Sequence, residues 1–218
     1  MGNRNEVFKT YLALVDFLGE ILGKNHEIVL HDLMDLNNSI IAIKNNHSGR
    51  NIGGPATDLV LKIMNNKELQ QRNFISNYKG YSKNGEKFRS STFFIRDKFD
   101  NLIGMLCINS DLSALDRLVD AVQSIVSFNN IREFDLDSGG SYSENLSSSI
   151  EELTKDTIET IINMKGVSPD RMTPEEKIEI VNELNQKGIF LLKGAVSEVA
   201  HHLKSSEASI YRYLSKIK

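Results

Sequence analysis

The sequence predicts an α+β protein: an antiparallel five-stranded sheet with helices packed on one side, followed by an all-α segment. Three observations carry this. Five short apolar, β-branched stretches are separated by turn residues, helical periodicity brackets them, and from residue 150 onward only helical spacing is found. A chain of 218 residues is long enough for one large domain or two small ones with a buried core.

Val7, Phe8, Tyr11, Leu12, Leu14, Val15 and Leu18 recur at helical spacing, so residues 6–22 read as an amphipathic helix that Gly23 ends. His26–Asp32 and Ser39–Lys44 read as strands, with Asp35-Leu36-Asn37-Asn38 turning the chain between them. After Gly53-Gly54, Pro55 takes the first helical position, and Leu59, Val60, Ile63 and Met64 give residues 55–66 an apolar face. Phe74–Tyr81, Phe88–Arg96 and Leu102–Asn109 are three further strands. Asn84-Gly85 tolerates the positive φ of a tight hairpin, and Asp100-Asn101 marks the next reversal. Leu112, Leu115, Leu118, Val119, Val122, Ile125 and Val126 then recur about every 3.5 residues, spacing that suits a short coiled-coil seam or a helix covering the sheet.

Residues 133–149, EFDLDSGGSYSENLSSS, are acidic, then Gly-Gly, then serine-rich, with almost nothing to anchor in a core; they read as a flexible linker. This divides the chain into 1–132, a linker 133–149, and 150–218. The second part opens on Ile150, Leu153, Thr157, Ile158, Ile161 and Ile162, one face of a connector helix whose other face carries Glu151, Glu152, Asp156 and Glu159. Thr173-Pro174-Glu175-Glu176 starts another helix with a capping hydroxyl, Pro at N1 and carboxylates at the positive end of the helix dipole. Ile178, Val181 and Leu184 continue its apolar face, and Gly188 stops it. Val196, Val199, Ala200 and Leu203 form the core face of a short helix, Lys204-Ser205 makes a turn, and Ser206 caps a last helix. In that helix Ala208 permits close approach, and Ile210, Tyr213, Leu214 and Ile217 are apolar. Two short helices, a small residue at the crossing and a tight turn are the pattern of a helix-turn-helix.

Charge supports the division. The net charge of −3 argues, taken whole, against a nucleic-acid partner, but it is an average. Residues 133–192 hold 5 basic and 13 acidic side chains, whereas residues 193–218 hold 5 basic and 2 acidic ones, plus His201 and His202. The acidic connector would repel phosphates, and the basic end suits them. Ordinary proportions of hydrophobic (40%) and charged (25%) residues indicate a folded protein, and no apolar run reaches the ~18 residues of a membrane span. No signal peptide is read at the N-terminus, so a cytoplasmic protein is expected. A single cysteine, Cys107, excludes an internal disulfide framework and a cysteine-based zinc site.

The order helix, two strands, helix, three strands is that of a PAS domain, a sensory module that holds a ligand or partner between sheet and helices. HEIVLHDL, NSIIAIKN, GRNIGGPATDLVL, FRSSTFFIRD and IGMLCINSDLS together resemble the YheO-like PAS domain of bacterial transcriptional regulators over roughly residues 6–115. Met172–Lys177, Gly188–Val196 and the segment to Ile217 resemble the helix-turn-helix that accompanies it, although family members often carry a basic residue where this chain has Glu207. The resemblance implies a PAS-like sensor domain over 1–132 and a DNA-binding domain within 150–218.

The second helix of a helix-turn-helix lies in the major groove with its N-terminal residues toward the bases. Ser206, Glu207, Ser209 and Arg212 are then on the reading side, Tyr211 reaches a phosphate, and Lys204 and Lys216 add basic contacts to double-stranded operator DNA. In the sheet, His31, Asn77, Ser90, Ser91, Thr92, Cys107 and Asn109 are polar interruptions of apolar strands. Alternation sends Ser90 and Thr92 to one face and Ser91 to the other, and one set is expected to meet a small-molecule effector. His26 and His31 project to opposite faces and do not form a metal site. Gly49–Gly54 lacks the Gly-Lys-Ser/Thr ending of a phosphate loop and reads as a structural turn. With no nucleophile–base pair, metal cluster or cofactor motif, an enzyme is disfavoured. The expectation is a homodimeric transcriptional regulator; the alternative is a PAS-type interaction or adaptor protein that does not bind DNA.

Overall fold

The computed structural model describes residues 2–82, 85–126, 143–146 and 149–217. In chain order the elements are α1 (Gly2–Leu22), β1 (His26–Asp32), β2 (Ile40–Lys44), α2 (Asp58–Met64), α3 (Lys67–Gln70), β3 (Phe74–Ser82), β4 (Lys87–Arg96), β5 (Leu102–Asp111), α4 (Ser113–Val126), β6 (Ser143–Leu146), α5 (Ile150–Lys165), α6 (Pro174–Gln186), α7 (Ala195–His202) and α8 (Glu207–Lys216). The expected α+β class and its five antiparallel strands are observed, in the sheet order β2-β1-β5-β4-β3-β6.

Strand alternation gives the sheet two apolar faces. On one, Ile28 and Leu30 of β1 and Leu106 of β5 pack against Phe8 and Val15 of α1. Gly104 permits that approach, because a Cβ there would stand 2.7 Å from the Phe8 ring. On the other, Val29, Met105, Cys107, Phe94 and Tyr78 share a core with Leu59, Leu61 and Ile63 of α2 and with the C-terminal helices. Helices therefore cover both sides of the sheet, not one as the element order suggested. Both β1 and β5 are buried on both faces, so two layers are needed to keep their side chains from water.

Two further expectations are corrected. The helix expected over 55–66 begins at Asp58: Thr57, not Pro55, ends the incoming chain, its hydroxyl accepting from Val60 N, and Ala56 N is engaged by Leu36 O. Within the expected linker, Ser143–Leu146 is a strand, β6, paired in parallel with Lys79–Ser82 of β3. Glu144 and Leu146 are buried there, so an acid and one leucine anchor what composition alone read as unanchored. The linker residues 133–142 and 147–148, and Asn84 of the expected hairpin turn, lie outside the described residues.

The C-terminal helices rest on α2. Gly188, at φ 77° just past the end of α6, comes so close that a Cβ would stand 2.7 Å from Leu61 O. Asn65 Nδ2 donates to Asn185 O (2.6 Å), and Lys193 N donates to Asn37 Oδ1 (3.2 Å).

Candidate DNA-binding helix and buried polar site

The helix-turn-helix is built as its sequence signals suggest. Thr173 and Glu176 form a reciprocal capping box at the start of α6. Lys177 of α6 reaches across to donate to Leu203 O (2.8 Å) and to Ser205 Oγ (3.3 Å), holding the turn after α7. Ser206 caps α8 by accepting from Ser209 N at 3.2 Å. Ile210 and Tyr213 are buried against α6 and α7, so α8 turns its opposite face to solvent. That face carries Glu207, Tyr211, Arg212, Ser215 and Lys216, with Tyr211 60% exposed.

The candidates divide accordingly. Glu207, Tyr211, Arg212 and Lys216 are exposed. Ser206 and Ser209 hydrogen-bond each other through their hydroxyls at 3.0 Å, so both first serve the cap. Lys204, in the turn at φ 47°, forms an ion pair with Asp170 in the loop between α5 and α6. Ala208 is exposed and does not make the close approach expected of it; Ala195 and Ala200 of α7 are the buried small residues.

The second site lies on the sheet face beneath α2. Tyr78, Ser90, Asn109 and Glu27 stand opposite one another across four adjacent strands, forming one polar rung. Thr92, Cys107 and Val29 form the next rung, and Phe94, Met105 and His31 the one after. Of the seven residues chosen from sequence, His31, Ser90, Thr92, Cys107 and Asn109 are gathered on this face and fully buried. Ser91 and Asn77 are not. Ser91 has the opposite parity, and its hydroxyl accepts from Asn77 N; Asn77 sits at an irregularity in β3, exposed, at φ 57°.

An ion pair that sequence reasoning missed anchors the face. Arg50 Nη2 donates to Glu27 Oε1 at 2.8 Å, and both side chains are at most 1% exposed. Glu27 Oε1 also accepts from Asn109 Nδ2, and Oε2 accepts from Ser48 N, Ser48 Oγ and His47 N. Burial works against the charge on Glu27, but Arg50 and these donors outweigh it and hold the carboxyl below its ordinary range. Burial, aided by the Arg50 charge, drives the His31 imidazole down to about 3, so it is neutral at pH 7. Its Nδ1 is 2.9 Å from Ser39 Oγ.

Glu144 of β6 enters this face from outside. Its Oε1 accepts from Thr57 Oγ1 and its Oε2 accepts from the Tyr78 hydroxyl at 2.9 Å. Tyr78 is linked in turn to Thr92 Oγ1 (2.7 Å), and Thr92 to Cys107 Sγ (3.2 Å). Burial raises the Glu144 carboxyl against the opposing pull of Arg50. Burial, with the Glu144 charge, pushes the Cys107 thiol up to about 12, so it is no nucleophile. Four atoms on the face have no hydrogen-bond partner among the described residues: His31 Nε2, Arg50 Nη1, Ser90 Oγ and Asn109 Oδ1. Buried polar atoms are ordinarily paired, so four together set this face apart from an ordinary apolar core.

Only composition hinted at these additions. Glu27 is an acid inside an apolar strand, whereas Arg50 and Glu144 fall in segments with no periodicity. Among the described residues no helix is long and apolar enough to cross a membrane, and no group of three metal-ligating side chains occurs.

Comparison with known proteins agrees with this two-part arrangement. The YheO-like PAS domain family matches residues 2–127, and an HTH domain family matches residues 153–215. The chain is 34% identical over 214 residues to YheO of Escherichia coli (strain K12), covering 98% of this chain and 85% of that protein. A protein of Haemophilus influenzae is 34% identical over 215 residues, covering 97% and 91%. The transcriptional regulator DauR of Pseudomonas aeruginosa is 26% identical over 211 residues, covering 96% and 94%.

Proposed function

The chain belongs to the family of YheO-like PAS proteins that carry a C-terminal HTH domain, a regulator's architecture and not an enzyme's, and from that premise we propose that it is a cytoplasmic, homodimeric transcriptional regulator that binds operator DNA through α8 and senses a small molecule or partner in its N-terminal domain. The observation that carries the DNA-binding part is the exposed face of α8, with Tyr211, Arg212 and Lys216 on a helix fixed by its buried Ile210 and Tyr213. Arg212 and Glu207 face base edges on this reading, and Tyr211 and Lys216 face phosphates. On this reading the reader begins at 150, and the sensor comprises the sheet of 1–132 together with β6, which returns to it from the linker.

Sensing is supported by the four unpartnered buried atoms beneath α2. Because α6 and α2 meet at Gly188 and Leu61, a rearrangement under α2 is felt by the reading helices. Dimerisation is supported by α4, where Leu115, Leu118 and Val122 form an exposed apolar stripe. Phe74 and Phe93, paired across β3 and β4, add exposed apolar surface on the sheet. Two copies bring two reading helices to paired half-sites, which multiplies affinity.

The test is DNA affinity of the full chain against salt. Phosphate contacts make log affinity fall linearly with log salt, by roughly 0.9 per phosphate neutralised. A steep slope on duplex DNA is expected. A flat one, or no binding, fits an adaptor protein instead. Native mass spectrometry of the same preparation reads the expected dimer and any retained small molecule.

A further inference from the structure

Glu144 is buried in the N-terminal domain yet lies beyond the 2–127 span of its family match. Its two carboxyl oxygens each take one hydroxyl, Thr57 Oγ1 on one and Tyr78 OH on the other. Two hydroxyl donors placed to serve two oxygens of one carboxyl group are a carboxyl receptor. The receptor is made by the sensor domain, and here the chain's own side chain fills it. Arg50 adds a positive charge that acts on Glu144, and its Nη1 has no partner among the described residues.

The strand that delivers Glu144 is short and is held to the sheet from one side. β6 has four residues, is the outermost strand, and pairs on one side only, with β3. Three residues separate its end from Ile150, where α5 opens the C-terminal helices. Withdrawing β6 therefore frees the chain that leads directly into the DNA-binding part.

We propose that Glu144 stands in for a small-molecule carboxylic acid, which binds Thr57 and Tyr78 in its place and releases β6. This rests on reading the N-terminal domain as a sensor, and it names the effector's chemical class. Ser90 Oγ, Asn109 Oδ1 and His31 Nε2 are unpartnered on the same face and are the groups that would meet the rest of the molecule. Asn109 Oδ1 can only accept, so an acid that also carries a hydroxyl or N–H donor would suit this face.

The experiment uses the full chain at mildly acidic pH, because burial in this site favours the protonated carboxyl group. It takes two probes of one shape, propanoate and propanamide. If β6 holds the receptor nine-tenths of the time, Glu144→Ala binds propanoate about ten-fold more tightly than wild type. Tyr78→Phe in the Glu144→Ala background removes that gain, and propanamide shows none. In wild type, propanoate accelerates amide hydrogen exchange at 143–146, a reading that stands even where Glu144→Ala folds poorly. Equal propanoate affinity in wild type and Glu144→Ala, with no change in exchange at 143–146, overturns the proposal. So does equal binding of propanamide. The two readings fail separately. Retention of a non-acidic small molecule by the N-terminal domain leaves sensing intact and removes the carboxylic acid. Propanoate binding that passes every control but leaves DNA affinity unchanged keeps the receptor and removes sensing.

Discussion

Arg50 and Glu27 form an ion pair at 2.8 Å with both side chains out of contact with water, joining a loop residue to the first strand of the sheet. Glu27 is completed by Asn109, Ser48 and His47 N, so its charge is fully compensated. Breaking such a pair from one side leaves an uncompensated buried charge. Arg50→Ala is therefore expected to lose about 3–5 kcal/mol of stability in urea unfolding. Replacing both partners, Glu27→Gln with Arg50→Met, is expected to cost less than Arg50→Ala alone, and the comparison separates the pair from the space it fills.

His31 sets an acid limit on the N-terminal domain. Its imidazole has a pKa of about 3 when folded, against an ordinary value of 6.5. The unfolded chain therefore binds the proton first. Stability is full above pH 6.5 and falls as pH drops toward 3, with a slope reaching about 1.4 kcal/mol per unit from this group. Glu27 adds a loss of the same sign at lower pH, because its folded carboxyl is held below 4.5. His31→Gln is expected to flatten the slope between pH 6.5 and 4.5, as measured by denaturation at stepped pH.

Glu144 has the opposite sign. Its folded carboxyl is raised above 4.5, so its contribution is full below that value and fades as pH rises through the raised one. Exchange protection of 143–146 is expected to weaken with rising pH, after correction for intrinsic exchange, and to lose this dependence in Glu144→Gln.

Gly188 joins the two halves of the chain. Any side chain there meets the Leu61 backbone and must also adopt φ 77°. Gly188→Ala is expected to lose more than the roughly 1–2 kcal/mol of a left-handed residue. Exchange protection in α2 should fall along with that in α6. Loss confined to α6 would show that the contact does not couple them.

Ser206 and Tyr211 separate the stability of α8 from its surface. Ser206→Ala removes the cap and is expected to cost about 1 kcal/mol. Tyr211→Ala, on the exposed face, is expected to stay within about 0.5 kcal/mol of wild type. Thermal unfolding of both variants checks the pair.

Much of this was legible from residue type and spacing. Period-two alternation placed the five strands and put Ser90 and Thr92 together, and caps at Thr173 and Ser206 fixed the helix starts. Alternation does not say which parity is enclosed, so Ser91 entered the candidate set with its neighbours. A local irregularity in β3 turned Asn77 away, and no composition signal marks it. Arg50 and Glu144 were invisible for a common reason. A lone charge in a polar segment reads as solvated unless its partner, 23 residues away for Arg50 and 87 for Glu144, is known to meet it. The second helical layer was equally hidden, since amphipathic helices do not state which face of a sheet they cover.

The most direct measurement is the affinity of the full chain for a duplex selected from a random-sequence pool, in wild type and in Arg212→Ala. Removing a side chain that hydrogen-bonds a base edge is expected to weaken binding by about 1–3 kcal/mol, roughly ten-fold or more, and to relax sequence preference at one position. The melting temperature should change little, because Arg212 is exposed and its ring contact, with Tyr213 at 5.7 Å, is worth about 0.5–1 kcal/mol at an exposed site. Equal affinity and equal preference in the two proteins would contradict DNA reading by α8.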